Sequence, residues 1–533
     1  MPVIDGGVQP FALTLNTFLE HAAKWHPKAE VVTARDDGTV KRISYAQLKA
    51  RSERISTTLA AYGVRAGDRV ATLAWNTQSH VEACYAIMGM GAICLTLNPR
   101  LVCAQLAAMV VQAEARILIV SADLAAQAVD IAGRAGITSR ILIIDEEEGV
   151  AATPAASNVE TLETLLTDRG GHRVMWGDFE ETSPCGLCFT SGTTGAPKGV
   201  TYTHRSSFLH TLRLLQADVM GISRADNVLV VVPMFHANAW GLPFAVPAVG
   251  AKLVLPGRHA HGANLARLIA SEGVTMAVGV ATVWLGLIEY LEANGGQLST
   301  LTRIIVGGAP LAPALMERIE QRLGVAVQTS WGMTELSPSG TVASFSEATR
   351  SSALSGRPAV GVDLLLTDAE GRALPEQRNV EGHLRVRGAA VIERYFGDAQ
   401  KATDADGWFA TGDLARIATD GNLMIVGRSK DLIKSGAEWI NPAEIEALVG
   451  GLPEVALAAV IGRSDPKWGE RPVLLVETHQ GQSISDEALL APLRGRVAPW
   501  WIPDAIYRIS RMPLASTGKI DKMTLRSEYG GGP

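Results

Sequence analysis

Thr190-Ser191-Gly192-Thr193-Thr194-Gly195-Ala196-Pro197-Lys198-Gly199 packs hydroxyls and glycines into one short run and closes it with a lysine. Glycine permits positive φ and lets successive N–H groups converge on an anion, the Ser and Thr hydroxyls add donors, and Lys198 adds a full charge. Those are the parts of a loop that cradles a polyphosphate. The apolar run Cys185 to Phe189 ahead of it reads as a strand, and strand-like apolar residues follow it, which weighs against a flexible Ser/Thr/Gly linker. A P-loop would need Gly-x-x-x-x-Gly-Lys-[Ser/Thr] feeding a helix. Here Lys198 precedes Gly199, so the P-loop NTPase reading fails at that residue.

A chain of 533 residues is too long for one core, so at least two domains are expected, and 47% apolar against 19% charged residues supplies ample buried sheet. The net charge of −6 comes from 48 basic and 54 acidic residues without a polybasic cluster, which argues against nucleic acid as a partner. Five cysteines form no disulfide framework and suit a reducing compartment. Cys185 and Cys188 have C-x-x-C spacing, but one pair without a second reads as packing rather than as a zinc or redox site. Met1 to Gly6 lacks the basic and apolar regions of a signal peptide, and a cytoplasmic location is expected. Val228 to Ala251 carries no formal charge, yet Pro233, His236, Asn238, Gly241, Pro243, Pro247 and Gly250 interrupt it. A buried strand, loop and helix are expected there rather than a membrane span.

Short β-rich runs alternate with helical periodicity through the first part of the chain, the pattern of sheets covered by helices. Arg69 to Trp75, Arg116 to Ser121, Arg140 to Ile144, Val228 to Val232, Lys252 to Leu255, Thr275 to Val280 and Arg303 to Val306 are the expected strands. Ala263 to Glu272 and Pro313 to Leu323 are expected helices. Two stacked α/β layers fit this series. From about Val362 short strands and turns take over, as in Gly382 to Arg387 and Leu423 to Val426 after Asp420-Gly421, so residues 362–429 read as a β-rich subdomain. After Lys430 a compact α/β pattern begins, in which Asn441 caps a helix, Pro442 takes its first position and Glu444 its third. The expected fold is α/β, with residues 1–429 as the large domain and 430–533 as a small, mobile α+β domain.

Further motifs follow in order: Trp331-Gly332-Met333-Thr334-Glu335, Thr411-Gly412-Asp413, Gly427-Arg428-Ser429-Lys430-Asp431 and Ser516-Thr517-Gly518-Lys519. With the loop at 190–199 they resemble the signature motifs of the adenylate-forming superfamily, which comprises acyl-CoA synthetases, peptide-synthetase adenylation domains and luciferases. The stretch Met234 to Pro243 is similar to medium-chain fatty acid–CoA ligases and their methylmercaptopropionate-activating relatives. By that resemblance Thr190, Ser191, Gly192, Thr193, Thr194, Gly195 and Lys198 hold the β and γ phosphates of ATP. Thr334 contacts the α-phosphate, and Glu335 holds Mg²⁺, for which a carboxylate is the hard ligand required. Gly308-Ala309-Pro310 and the segment from Gln328 through Trp331, Gly332 and Met333 enclose adenine. Asp413 is suited to accept both ribose hydroxyls, with Arg428 beside it.

The resemblance also implies that Lys519 is the adenylation lysine, an ammonium on a flexible stem that bridges the substrate carboxylate and the α-phosphate. Lys430 matches the hinge. Lys434, Ser435, Gly436 and Ala437 match the face that shapes a channel for the pantetheine thiol of CoA after the small domain rotates. Many relatives have glycine at the position of Ala437, so the added methyl narrows that channel. The expected acyl pocket comprises Pro233 to His236, Asn238, Ala239, Trp240, Gly307, Trp331 and Met333. His236 is open to two readings, a packed core histidine or a gate between the acyl and CoA sites. Without a charged pocket residue, the acid has an apolar tail. The chain reads as an acid–CoA ligase using ATP, Mg²⁺ and CoA on a short to medium-chain or aryl-substituted acid, as a monomer or a homodimer. The alternatives are an adenylation enzyme that loads a carrier protein and a non-catalytic nucleotide-binding protein.

Overall fold

Runs such as Ile117–Ser121 and Arg140–Ile144 consist almost entirely of β-branched and aliphatic residues buried on both faces, which is what parallel strands covered by helices require. The computed structural model describes residues 7–145, 158–168, 174–190, 197–346, 350–436, 438–515 and 518–531. Among these, one seven-stranded sheet runs in the spatial order Val159–Thr161, Arg140–Ile144, Ile117–Ser121, Arg69–Leu73, Ile93–Thr96, Pro184–Thr190, Lys198–Thr203. It is parallel except for its last pair.

A nine-stranded sheet is parallel from Ala326–Gly332 through Arg303–Val306, Met276–Gly279, Asn227–Val230 and Lys252–Leu255 to Glu30–Ala34, with antiparallel strands at both edges. The carboxyl ends of these parallel strands share one edge, so the residues that follow them, His236, Val280, Gly307 and Thr334, are brought to one side. Asn76 ties the two layers together there. Its Nδ2 donates to the carbonyls of Val230 (3.0 Å) and Val232 (2.8 Å), and its Oδ1 accepts from Met234 N (2.7 Å).

The apolar stretch from Val228 is a buried strand, a tight turn and the helix Leu242–Ala248, as its prolines and glycines imply. Among the described residues no helix is long and apolar enough to cross a membrane. Cys185 and Cys188 are buried free thiols facing Ser207 and Thr96, and burial pushes them up to about 12 and about 11. Thiols so rarely ionised pack rather than react.

Val362–Thr367, Glu381–Gly388, Phe409–Ile417 and Leu423–Arg428 form an antiparallel sheet. Beyond it, Gly469–Thr478 anchors a sheet with Val455–Asp465, Ile433–Ser435 and Ala505–Arg508, flanked by the helices Pro442–Val449 and Lys522–Tyr529. Asn441 caps the first of these through Ala443 N (3.1 Å), while its Nδ2 donates to Val426 O (3.0 Å) in the neighbouring sheet. The small domain also meets the large one where Thr282 Oγ1 donates to Gly518 O (3.4 Å) and where His479 Nδ1 lies 3.2 Å from Glu289 Oε1.

Glu82 illustrates how the large domain tolerates a charge in its core. Only 1% exposed, it accepts from Arg51 Nε (2.7 Å) and Gln78 Nε2 (2.9 Å). Burial pushes its carboxyl up while Arg51 pulls it down. Arg51→Ala strands that charge and is expected to cost about 3 kcal/mol, read as a lowered thermal midpoint, with the Arg51→Ala/Glu82→Gln double variant recovering part of it. A double variant no more stable than Arg51→Ala alone would show that the charge of Glu82 is not the cause.

Candidate active site

The run from Thr190 to Gly199 joins two antiparallel strands, with Thr190 paired to Lys198 and Phe189 to Gly199. Residues 191–196, which carry Ser191, Gly192, Thr193, Thr194 and Gly195, lie outside the described residues, as does Ala437. Gly199 is required by close approach, since a Cβ there would stand 2.8 Å from Phe396 Cβ.

The strand Ala326–Gly332 delivers Trp331, and the 3₁₀ turn Thr334–Leu336 presents Thr334 and Glu335. Tyr202 OH donates to Thr334 O (2.8 Å) and fixes that turn. Trp331 Nε1 donates to Asp413 Oδ2 (2.9 Å), and Arg428 Nε lies 2.8 Å from Asp413 Oδ1. Cross-strand register explains the second contact, because Asp413 and Arg428 are direct partners. Asp413 is 2% exposed. Burial pushes its carboxyl up, and Arg428 and then Trp331 act against that push. Arg428, placed beside the ribose by resemblance, thus grips the very carboxylate expected to bind the ribose. Each carboxylate oxygen carries two lone pairs, so acceptor capacity remains for two hydroxyls.

Lys519 reaches this group from the small domain. Its Cε would lie 3.8 Å from a Cβ at Gly308, and Gly518 ahead of it, at φ 81°, packs on Val280 and Thr282. Burial, reinforced by Arg428 and Lys430, lowers Lys519 to about 8, while Asp413 and Glu335 pull the other way. His236 is brought to the same place: burial lowers it to about 4, and Lys519 adds to the effect. It is therefore neutral at pH 7. Gly308, at φ 81°, is backed by Val280 and Trp240, with Ala309 and the exposed Pro310 continuing the rim.

Ala237, Asn238, Ala239 and Trp240 have φ of 45°, 46°, 49° and 56°, a full left-handed turn built without glycine. Such a conformation costs roughly 1–2 kcal/mol per residue, so the surroundings must impose it. Ala239 is completely buried and Asn238 accepts from Cys188 Sγ (3.9 Å). The turn aims the Trp240 ring at Gly307, where a Cβ would stand 2.8 Å from Trp240 Cη2 and collide with Ser330 Oγ. Met333 is half-buried against the core.

Lys434, Ser435 and Gly436 find their partners within the small domain. Lys434 Nζ sits 5.5 Å from the Trp439 ring centroid, Ser435 Oγ accepts from Arg471 (3.1 Å), and Gly436 N donates to Trp468 O (2.6 Å). The structure thus gathers His236, Gly307, Gly308, Trp331, Thr334, Glu335, Asp413, Arg428 and Lys519, and leaves the 434–436 face outside that group. Lys430, in the turn Ser429–Asp431, is half-buried, and its ammonium is lowered by burial and by Arg428 and Arg526. Tyr202 and Tyr395 were not expected from the sequence. Their contacts at the site join residues far apart in the chain, and no local pattern marks them.

The family model described as AMP-binding enzyme matches residues 19–396, and that of the AMP-binding enzyme C-terminal domain matches residues 444–519. The chain is 38% identical over 528 residues to a 3-methylmercaptopropionyl-CoA ligase of Ruegeria lacuscaerulensis, covering 97% of each chain. It is also 38% identical over 527 residues to a medium-chain-fatty-acid–CoA ligase of Ectopseudomonas oleovorans, covering 97% of this chain and 96% of the other. In fold it matches the anthranilate CoA ligase AuaEII, solved with anthranoyl-AMP, at a TM-score of 0.87 and 23% identity over 98% of both chains. The chain belongs to the AMP-binding enzymes of the adenylate-forming superfamily, as its motifs imply.

If Lys519 is the adenylation lysine, it must carry its proton to stabilise charge on the α-phosphate, and acyl-adenylate formation should fall as pH rises through about 8. Lys519→Ala should lower that half-reaction about 10²- to 10³-fold and flatten its alkaline limb, measured by pyrophosphate exchange. An unchanged alkaline limb in Lys519→Ala would assign it to another group. Asp413→Asn should raise the KM for ATP more than it lowers kcat; an unaltered KM in a folded variant would take Asp413 off the ribose.

Proposed function

We propose that the protein is an ATP-dependent acid–CoA ligase acting on a short to medium-chain or aryl-substituted carboxylic acid. A carboxylate oxygen attacks the α-phosphorus of ATP and pyrophosphate leaves. The thiol sulfur of CoA then attacks the acyl carbonyl of the adenylate, and AMP leaves. The observation that carries this reading is the delivery of Lys519, from the small domain, to Gly308, Asp413 and Glu335 in the large one.

In the first step an anion must approach an anionic phosphorus, and the cleft supplies the cations that offset the repulsion: Lys519, Arg428 and the phosphate-loop Lys198. Thr334 is assigned to the α-phosphate and the segments 308–310 and 328–333 to adenine. Among the described residues no three His, Cys, Asp or Glu side chains cluster as a metal site. A single carboxylate is the donor set expected for Mg²⁺ that is otherwise held by phosphate oxygens and water, and Glu335 is that carboxylate. Bound there, Mg²⁺ would neutralise charge on the phosphates. His236, neutral and facing the cleft, separates the acyl space from the path of the thiol.

We place the hinge at Lys430, between domains of residues 1–429 and 430–533. Rotation about it withdraws Lys519 and brings in Lys434 with the channel face Ser435, Gly436 and Ala437. Free buried thiols fit a reducing compartment, the cytoplasm. The apolar tail is supported by Trp240 against Gly307, by expected pocket residues none of which is an acid or a fixed cation, and by the likeness to ligases named for fatty and methylmercaptopropionic acids.

AMP release measured across a panel of acids, with CoA and with a carrier protein as thiol acceptor, tests the assignment. Release that is faster with the carrier would replace CoA. Trp240→Ala should open apolar space and favour longer acids, each buried methylene contributing about 0.8 kcal/mol, so a few carbons shift kcat/KM by one or two orders of magnitude. A variant destabilised by about 3–5 kcal/mol with an unchanged acid ranking would instead make Trp240 a core residue.

A further inference from the structure

Between the strands Glu381–Gly388 and Phe409–Ile417 the chain passes through Ile392-Glu393-Arg394-Tyr395-Phe396, and this segment is fastened to two parts of the site at once. Ile392 N donates to Glu335 O (3.0 Å), and Phe396 N donates to Gly199 O (2.8 Å). Tyr395 lies between these anchors. Its hydroxyl donates to Glu335 Oε1 (3.0 Å), and the ammonium of Lys198 sits over its ring, 4.7 Å from the centroid. Glu335 is only 8% exposed, and its Oε2 accepts no hydrogen bond from any described residue.

Resting on the assignment of Glu335 to Mg²⁺, we infer that Tyr395 is a positioning residue that holds the metal carboxylate and the phosphate-loop lysine in a fixed relation. The hydroxyl fixes the carboxylate plane by occupying Oε1 and leaves Oε2 for the cation. The ring face attracts the ammonium of Lys198 through its quadrupole, so the lysine is seated before a phosphate arrives. One side chain therefore sets the spacing between a cation that meets the phosphates and the anion that holds their metal. The ring is also packed edge-on against Phe409, with centroids 6.5 Å apart, which phenylalanine at position 395 would retain.

The two functions separate by substitution. Tyr395→Phe keeps the ring and loses the hydroxyl; Tyr395→Leu loses both. ATP binding is measured by calorimetry with and without Mg²⁺, alongside the Mg²⁺ dependence of pyrophosphate exchange and melting temperatures. Tyr395→Phe should raise the half-saturating Mg²⁺ concentration about 10-fold, the usual loss when a partner of a metal ligand is removed, and leave Mg²⁺-free ATP binding unchanged. Tyr395→Leu should weaken Mg²⁺-free binding as well, by about 3-fold. Glu335→Gln is the reference. If it shifts the Mg²⁺ dependence and Tyr395→Phe does not, the inference is overturned while the metal assignment stands. If Glu335→Gln itself leaves the Mg²⁺ dependence unchanged, the metal assignment is removed. Mg²⁺-free ATP binding no weaker in Tyr395→Leu than in Tyr395→Phe overturns the seating of Lys198.

Discussion

An aspartate closed off from water has to be kept ionised, and much of the cleft is arranged around that requirement. Asp413 meets Trp331 from the nine-stranded sheet on one oxygen and Arg428 from its own antiparallel sheet on the other. Burial alone would favour the neutral acid, a weaker acceptor for the ribose hydroxyls that Asp413 is proposed to bind. The arginine offsets this, and the same arginine then depresses the ammonium of Lys519 when the small domain brings it in. Asp413, Arg428, Glu335 and Lys519 form one electrostatic unit, with Asp413 and Arg428 on adjacent strands of one sheet and Lys519 reaching in from the small domain. Asp413 and Glu335 act against the repulsion that Arg428 and Lys430 exert on the lysine.

The acyl side answers to a different constraint, one of backbone geometry. Parallel strands deliver their carboxyl ends to one edge, and the chain leaving Asn227–Val230 must turn sharply there to begin the helix Leu242–Ala248. It does so through four left-handed residues that are not glycine. Glycine would relieve the strain and lose the tryptophan. The turn instead keeps Ala239 buried and points Trp240 at Gly307, whose missing side chain makes room for the indole. Strain at 237–240 and the absence of a Cβ at 307 are two halves of one arrangement, and in the proposed acyl pocket they would set the room for a substrate tail.

The fold was readable because its information is local. Strands such as Arg140–Ile144, Lys252–Leu255 and Arg303–Val306 carry their burial in their own composition, and Asn441-Pro442 announces a helix start through cap chemistry. The phosphate loop, Glu335 and Lys519 were expected at the site for a similar reason: each lies in a short run whose residue types carry the resemblance, and residues 191–196 of the loop lie outside the described residues. What stayed hidden depends on distant register. Nothing near Trp331 predicts a bond to Asp413 82 positions away, nor does Arg394-Tyr395-Phe396 announce a hydroxyl aimed at Glu335, 60 positions back. Arg428 shows the intermediate case. Its place at the site was expected, but its grip on Asp413 follows from strand pairing that composition does not encode.

The position of Lys519 also bears on how firmly the two domains are held together. Among the described residues the small domain meets the large one through Asn441 to Val426, Thr282 to Gly518, and His479 to both Glu289 and Arg318, with Gly518 also packed on Val280. Its own apolar residues are sorted into two internal clusters on either side of its sheet. An exposed ion pair contributes little, about 0–1 kcal/mol, and single hydrogen bonds across such a surface contribute comparably. Nor does the cleft's own charge hold Lys519: burial, Arg428 and Lys430 lower its ammonium to about 8, and Asp413 and Glu335 offset this only in part. Once a bound nucleotide supplies its own negative charge the lysine is held more firmly, and once pyrophosphate departs that hold weakens. If the charge of its substrate is what secures the small domain, the step that Lys519 is proposed to assist would also release it, which would give the proposed rotation its direction.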